Sequence, residues 1–566
     1  MSAPLIQETP PASLLSPTWR WRGVMLGVVM LAIWFAGLQS RSLFEPDEGR
    51  YAEIAREMFA SGDWVMPRFD GFKFYDKPPL QYWATALNYQ LFGVHHWTAR
   101  LWSALAGLLC VLATWYAARR VWGAREGRLS GLVCAGMFLI VAAAHITSLD
   151  MGVAGFLTAA LCAFLIAEFG CDTAASQRRW MLLTWLAMAL AVLSKGLIGI
   201  VLPGGALVVY MMWKRDWKLL RRVQLLPGLA LLLVVTVPWF VLLARRDDQF
   251  LSFFFIHEHF GRFLAKVANR NQPWWYYLPI AVVGLLPWTG FLLRGLRVSW
   301  QRARHAGDNA AGLVLIYAAV VLLFFSLSGA KLPLYVLPMF PALALLIGHT
   351  LPGLTREMIA RRLLWIALPA VLGVAIALAL PHIPSLHAAQ TAYTALLGPV
   401  AVAMALLAIG TGVGVGLARR GRVDAAIAAA AIGGLLFAQG LLFAYQRLSP
   451  TTSAQEMATL AQPYIRADAP VYAVQMFYRG LPYYLQRPVT LVDERPYDLL
   501  AGIDWEPALQ IPDIAGFTTA WSAHPGAVAF MPPATQQALA AQGLPMHVVA
   551  RTSDTIIVRN DPSIAH

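Results

Sequence analysis

A small set of acidic, basic and tyrosine side chains stands at the edges of long apolar runs, where charge is expensive to keep. They are Asp47, Glu48, Arg50 and Tyr51; Asp76 and Lys77; Asp150; Lys195; Arg262 and Arg270; and Lys331 with Tyr335. Ionisable groups beside a membrane span mark function by default, because their desolvation must be compensated by a partner or a ligand. Each also has a plainer reading. Asp47 follows Pro46 at the start of a helical stretch and Asp150 opens an apolar run, so either could simply cap a helix. Lys195 and Lys331 could snorkel to the interface. Caps and snorkelling leave unexplained why both signs of charge gather beside the same few tight loops. A metal is a further candidate: His257, Glu258 and His259 share a loop with Arg262, and Asp76 adjoins Lys77. Were those loops to converge, Asp76 and His257 would suit a divalent, zinc-like ion. The full tetrahedral spacing is missing, however, and histidines at an interface need not be ligands.

The elements that must position these residues follow from composition. Of 566 residues, 58% are hydrophobic and 13% charged, about half the charge of a soluble domain. Apolar runs recur that can each cross roughly 30 Å of hydrocarbon, where only a helix satisfies its own backbone. We count about thirteen such spans, the first over residues 24–38 and the last over 425–445. No small-residue cleavage site follows the first run, so it reads as a span rather than a signal peptide. Basic residues fill every second connection, from Arg20 and Arg22 to Arg419, Arg420 and Arg422. The connections at 145–150 and 381–391 hold none. This places the N-terminus in the cytoplasm, and an odd number of crossings puts the C-terminus outside. The net charge of +14 is then a collar facing anionic lipid heads, and no nucleic-acid partner is implied. Cys110, Cys134, Cys162 and Cys171 all lie in the first third of the chain, so no disulfide framework is expected in the external C-terminal segment.

The chain divides accordingly. Residues 1–18 read as a disordered cytoplasmic N-terminus, 19–446 as an all-α polytopic membrane domain, and 447–566 as a small external α/β domain. The first external loop, 39–97, is long but not structureless. Tyr51, Ile54, Met58 and Phe59 form one helical stripe opposite Glu48, Glu53, Arg56 and Glu57, and Trp83, Leu87 and Leu91 form a second stripe. Both read as interfacial helices lying on the membrane. After Arg447, alternating stretches at 470–475, 488–492, 527–531 and 555–558 read as strands, and 535–542 as a helix.

One stretch is more specific. Pro46-Asp47-Glu48-Gly49-Arg50-Tyr51-Ala52-Glu53-Ile54-Ala55-Arg56-Glu57-Met58 resembles the signature of bacterial aminoarabinose transferases, members of the GT-C superfamily of membrane glycosyltransferases. The likeness continues through Ser61-Gly62-Asp63-Trp64, Phe74-Tyr75-Asp76-Lys77-Pro78-Pro79, Tyr82-Trp83 and Leu91-Phe92-Gly93. It recurs at Leu193-Ser194-Lys195-Gly196 and from Ser328 through Lys331 and Tyr335 to Pro338. One departure is visible: Asp76 stands where the family usually has Glu, which keeps the charge and shortens its reach.

The resemblance implies transfer of 4-amino-4-deoxy-L-arabinose from undecaprenyl phosphate to lipid A phosphates on the periplasmic face of the bacterial inner membrane. Such a change lowers surface negative charge and gives resistance to cationic peptides and polymyxin. A departing lipid phosphate needs fixed cations; Lys77, Arg262 and Lys331 are the candidates, with Tyr335 as a hydroxyl donor. The acceptor phosphate is already ionised and needs little help from a base. Asp47 and Asp150 are thereby free to bind the sugar's ammonium and stabilise an oxocarbenium-like centre. Glu48, Arg50, Tyr51, Lys195 and Arg270 are expected to support them, and no cofactor is required beyond the candidate metal. Another polyprenyl-linked sugar, passed to protein or glycan, is the alternative within the superfamily. A lipid-linked sugar flippase is the alternative outside it, although it would need polar groups at mid-membrane depth, and only Pro203-Gly204-Gly205 hints at a broken helix.

Overall fold

The computed structural model describes residues 17–255, 272–382 and 391–561. Met1–Ala36 forms one unit, whose described part is the helix Pro17–Phe35, and Gly37–His566 forms the other. Among the described residues seven helices are long and apolar enough to cross a membrane: His96–Val121, Leu149–Phe169, Leu225–Ala244, Asn309–Leu327, Arg356–His382, Thr394–Arg419 and Val423–Thr452. Two bent pairs, Ala124–Ala135 with Phe138–Ala144 and Tyr277–Gly284 with Thr289–His305, raise the number to nine if each pair is one span. The chain is thus an all-α polytopic membrane protein carrying a small sheet near its C-terminus. Cys110, Cys134 and Cys162 are buried and Cys171 is half-buried, all as free thiols.

The first external loop forms two helices, Asp47–Ser61 and Leu80–Phe92, joined by a hairpin of β1 (Arg68–Phe69) and β2 (Phe72–Lys73). Its two-residue turn, Asp70-Gly71, has positive φ at both positions, the geometry of tight hairpins that favours this residue pair. Gly62 ends the first helix in the left-handed conformation, its N–H donating to the Met58 carbonyl.

The C-terminal sheet runs β4 (Thr490–Val492), β3 (Val471–Val474), β5 (Val528–Met531), β7 (Ile556–Arg559), β6 (His547–Arg551). β3 pairs parallel with both β4 and β5, while β5–β7 and β7–β6 are antiparallel. The four predicted strands are present, and Pro533–Ala541 is the predicted helix. β6 was not predicted. It is an edge strand whose residues are largely exposed and whose register slips between Val548 and Ala550, so it carries no clean alternation.

Strand alternation gives the sheet two apolar faces. Tyr472, Val474, Ala529, Met531 and Val558 pack on Phe517, Trp521 and Leu539 of the sheet's own helices. On the other face, Val471, Ala473, Leu491, Val528 and Phe530 share one core with Ile54, Met58, Phe69, Phe72 and Tyr82 of the first external loop. Each of the valine, leucine, isoleucine, methionine and phenylalanine side chains among them stabilises by roughly 1.5–3 kcal/mol when fully buried. Loop and sheet are therefore welded by a common core.

That weld covers much of the polar face of Asp47–Ser61, which the stripe pattern does not reveal. Glu48, Glu53 and Arg56 are buried, and Arg56 grips Glu53 through Nε and Nη2 at 2.6 Å each. A charge can be buried when it is paired and hydrogen-bonded, and periodicity alone does not show that the polar face has a lid. The second helix, Leu80–Phe92, has two distinct faces. It buries Tyr82, Ala86 and Tyr89 and leaves the predicted stripe residues Leu87 and Leu91 exposed.

Candidate active site

The first turn of Asp47–Ser61 supplies three neighbours. Pro46 precedes it and no side chain caps it, so Asp47 is not acting as an N-cap. Its carboxylate, 48% exposed, instead receives Arg50 Nη2. Arg50 also donates Nη2 to the Tyr51 hydroxyl at 3.2 Å, and its guanidinium lies 4.8 Å from the Tyr51 ring centroid. Burial raises the Tyr51 phenol above its ordinary range, with Arg50 opposing, so it stays a protonated hydroxyl at neutral pH.

Three other elements bring their ends to the same place. Asp150 is the second residue of Leu149–Phe169, and Lys195 is the last of Ala174–Lys195. Ser148 holds the N-cap position before Asp150 and no side chain caps that helix either; Asp150 Oδ1 takes the Lys195 ammonium. Lys195 Nζ also sits 4.2 Å from the ring centroid of Tyr335, carried on the one-turn helix Pro333–Val336. Tyr51 is within electrostatic reach of Asp47, Asp150 and Tyr335. Lys195 is within reach of Asp47, and Asp76 of Arg50. Asp47, Arg50, Tyr51, Asp150, Lys195 and Tyr335 thus form one mixed-charge cluster, with Asp76 beside it.

Lys77 and Lys331 have their ammonium groups on backbone carbonyls, Lys77 on Asp76 at 2.8 Å and buried Lys331 on Ser328 at 2.7 Å. Lys331 lies four residues before Tyr335 in the same loop. Arg262, Arg270 and His257 fall outside the described residues, as do Glu258 and His259. Among the described residues no group of three or more His, Cys, Asp or Glu could hold a metal.

Glu48 does not face the cluster. It is buried against Arg100, which donates Nε to Oε1 at 2.7 Å and Nη2 to Oε2 at 2.8 Å. The backbone N–H groups of Thr147 and Phe44 complete its shell at 2.9 and 3.1 Å. Burial alone would raise its pKa, but Arg100 and Arg41 outweigh that and hold it at about 2. Its role is internal: it ties the motif helix to Arg100 near the start of His96–Val121 and to the turn before Asp150.

Three participants escaped the sequence reading. Asp498, from the sheet domain, accepts Arg50 Nη1 at 3.0 Å and is itself gripped by Arg479 at 3.1 and 2.9 Å. Glu45 accepts the backbone N–H groups of Arg479 at 2.8 Å and Gly480 at 2.6 Å. The motif glycine explains the close approach: a Cβ on Gly49 would lie 2.6 Å from the Gly480 Cα. No local signal marks Asp498 and Arg479 as partners, because more than 400 residues separate them from the motif.

Burial raises Glu45 from 4.5 to about 7, against the two backbone donors and nearby Arg479 that lower it, with Asp498 adding to the rise. The folded state therefore holds a proton that the unfolded state releases, and stability falls as pH rises between 4.5 and about 7. The slope from one such group is at most about 1.4 kcal/mol per pH unit. Glu45→Gln should flatten the decline of the detergent melting temperature between pH 5 and 7.5 relative to the parent. Parallel curves would show that Glu45 does not titrate there.

A family model described as the aminoarabinose transferase C-terminal domain matches residues 457–560, and one described as dolichyl-phosphate-mannose-protein mannosyltransferase matches 76–242. The undecaprenyl phosphate-alpha-4-amino-4-deoxy-L-arabinose arabinosyl transferase of Erwinia tasmaniensis is 36% identical over 316 residues, covering 55% of this chain and 56% of that one. The Pseudomonas aeruginosa (strain UCBPP-PA14) protein of the same name is 37% identical over 342 residues, 59% of each chain. The matched stretch therefore spans less than two thirds of these curated relatives. The crystal structure of ArnT from Cupriavidus metallidurans bound to undecaprenyl phosphate superposes with a TM-score of 0.90 at 38% identity, over 97% of this chain and 100% of that one. Identity sustained over the whole of a solved chain, helices and sheet together, means that this protein belongs to the ArnT family of aminoarabinose transferases, within the GT-C superfamily.

Proposed function

We propose that the protein transfers 4-amino-4-deoxy-L-arabinose from undecaprenyl phosphate to lipid A phosphate groups at the periplasmic face of the bacterial inner membrane. The product carries less negative charge, which is the basis for resistance to cationic peptides and polymyxin. The observation that carries this reading is the convergence of Asp47 and Asp150 with Arg50, Lys195 and Tyr335 at the ends of four elements, in a chain of this family. In the proposed reaction an oxygen of the lipid A phosphate bonds to the sugar's anomeric carbon. The bond from that carbon to the undecaprenyl phosphate oxygen breaks, and the lipid phosphate leaves with the electron pair. Lys77, Lys331 and Tyr335, with Arg262, hold the departing phosphate. Asp47 and Asp150 face the ammonium and the developing positive charge. Arg50 and Lys195 set the orientation of those two carboxylates, and Tyr51 and Arg270 support the site.

The same reading sets the topology. Counting the seven long helices, the two bent pairs, the three shorter apolar helices and Ala174–Lys195 as one crossing each gives thirteen, with the N-terminus cytoplasmic and the C-terminus periplasmic. Residues 1–18 then form the cytoplasmic tail, 19–446 the catalytic membrane domain and 447–566 the periplasmic domain. The exposed Leu87 and Leu91 meet lipid on this placement. Mass spectrometry of lipid A from cells with and without the protein tests the function. The added aminosugar should appear only when the protein is present, and unchanged lipid A in cells that make the donor would refute the proposal.

A further inference from the structure

We propose that Asp498 of the sheet domain is a positioning residue for the transfer, acting through Arg50 on Asp47, so that the periplasmic domain completes the active site. The inference rests on the reading that Asp47 serves at the reaction centre. Four side chains of alternating sign run from the sheet domain to the open site. Arg479 holds both oxygens of Asp498, through Nε at 3.1 Å and Nη2 at 2.9 Å. Asp498 Oδ2 also receives Arg50 Nη1 at 3.0 Å, and the other terminal nitrogen of Arg50 meets Asp47. Exposure changes sharply along the series: Asp498 is 6% exposed, Arg50 12% and Asp47 48%. Asp498 and Arg50, in the middle of the series, are therefore packed, while Arg479 behind them is 26% exposed and Asp47 at the other end is open to the space where substrate must sit.

Two consequences follow. The first is geometric. Asp47 stands at the start of its helix with no cap bond, and Arg50 is the side chain that anchors it. Arg50 is aimed by Asp498 and the Tyr51 ring, while its buried Nε has no partner among the described residues. The second is electrostatic. An arginine shared between two carboxylates neutralises neither fully, so Asp47 keeps negative charge for a cationic sugar. Without Asp498 the whole Arg50 charge falls on Asp47. The domain that supplies Asp498 is fastened to the same helix by Glu45 on the Arg479 and Gly480 amides and by the Gly49–Gly480 approach, so the series is held at both ends.

The test is a mutant cycle on the full-length protein with the lipid-linked donor. Asp498→Asn should lower kcat about tenfold to hundredfold, the scale of a misplaced reacting group, with KM for the donor little changed. If Asp498 acts through Asp47, the same substitution placed in an Asp47→Asn background should cost nothing further. Should Asp498→Asn fold poorly because it strands Arg479, the pair Asp498→Asn with Arg479→Gln removes both charges and should restore the melting temperature while the kcat loss persists. Parental kcat in Asp498→Asn, or an equal loss in both backgrounds, would overturn the inference. An active Asp47→Asn would instead sink the underlying reading of the site, so the two failures are distinguishable.

Discussion

Asp47→Asn and Asp47→Ser should fold as the parent does and transfer at no more than about one hundredth of its rate. One charge-assisted interaction made in the transition state is worth about 3 kcal/mol, hence roughly a hundredfold. Stability should change little, because Asp47 is half-exposed and caps nothing, and an exposed ion pair contributes at most about 1 kcal/mol. Asp150→Asn should show the same kinetic loss with some loss of stability, since it removes the paired negative charge from the enclosed Lys195 ammonium. Donor binding separates these carboxylates from the cations: it should survive in Asp47→Asn and Asp150→Asn and weaken in Lys77→Ala. The ammonium supplies a finer readout. A donor bearing a hydroxyl in place of the amine should be poor for the parent and lose much less with the Asn variant that lacks the partner charge. Lipid A modification at parental level by Asp47→Asn would remove this residue from the reaction centre and leave Asp150 alone there.

Arg100→Met should be the most destabilising single change in the external half of the protein. All five N–H groups of Arg100 are used: two on Glu48 and three on the carbonyls of Leu38, Arg41 and Ser42, at 2.7–2.9 Å. A methionine of similar length would leave the Glu48 charge facing Arg41 at 3.7 Å and three carbonyls without their donor. Breaking a buried pair from one side costs about 3–5 kcal/mol, a large part of the net stability of a typical fold. The expected result is little folded protein after detergent extraction, and a sharply lower melting temperature in what survives. Adding Glu48→Gln should recover part of the loss, because it removes the stranded charge while keeping an acceptor for the Thr147 amide. A parental melting temperature in Arg100→Met would mean that water or neighbouring groups compensate, and Glu48 would lose its role as the tie between the motif helix and the membrane helices.

Much of this protein was legible without coordinates because the signals are local. The length of an apolar run and the strand pattern at 471–474 or 528–531 are properties of contiguous residues, and they led to membrane-crossing helices and strands that are present. Asp47, Asp150, Lys195 and Tyr335 were identified singly by their place at the ends of apolar runs. That they meet is a fact of packing: the Asp150–Lys195 pair joins two helices, and Lys195 reaches across to the Tyr335 ring. Tertiary structure alone decided the fate of identical chemistry within one turn, sending Glu48 inward to Arg100 and leaving Asp47 in the open. It also decided that the polar face of Asp47–Ser61 is covered, that Leu87 and Leu91 face outward, and that Asp498 and Arg479 belong to the site. The physical reason is common to all of these. Whether a charged side chain is solvated or buried depends on which partner reaches it, and here the partners come from other elements, as far as 448 residues along the chain.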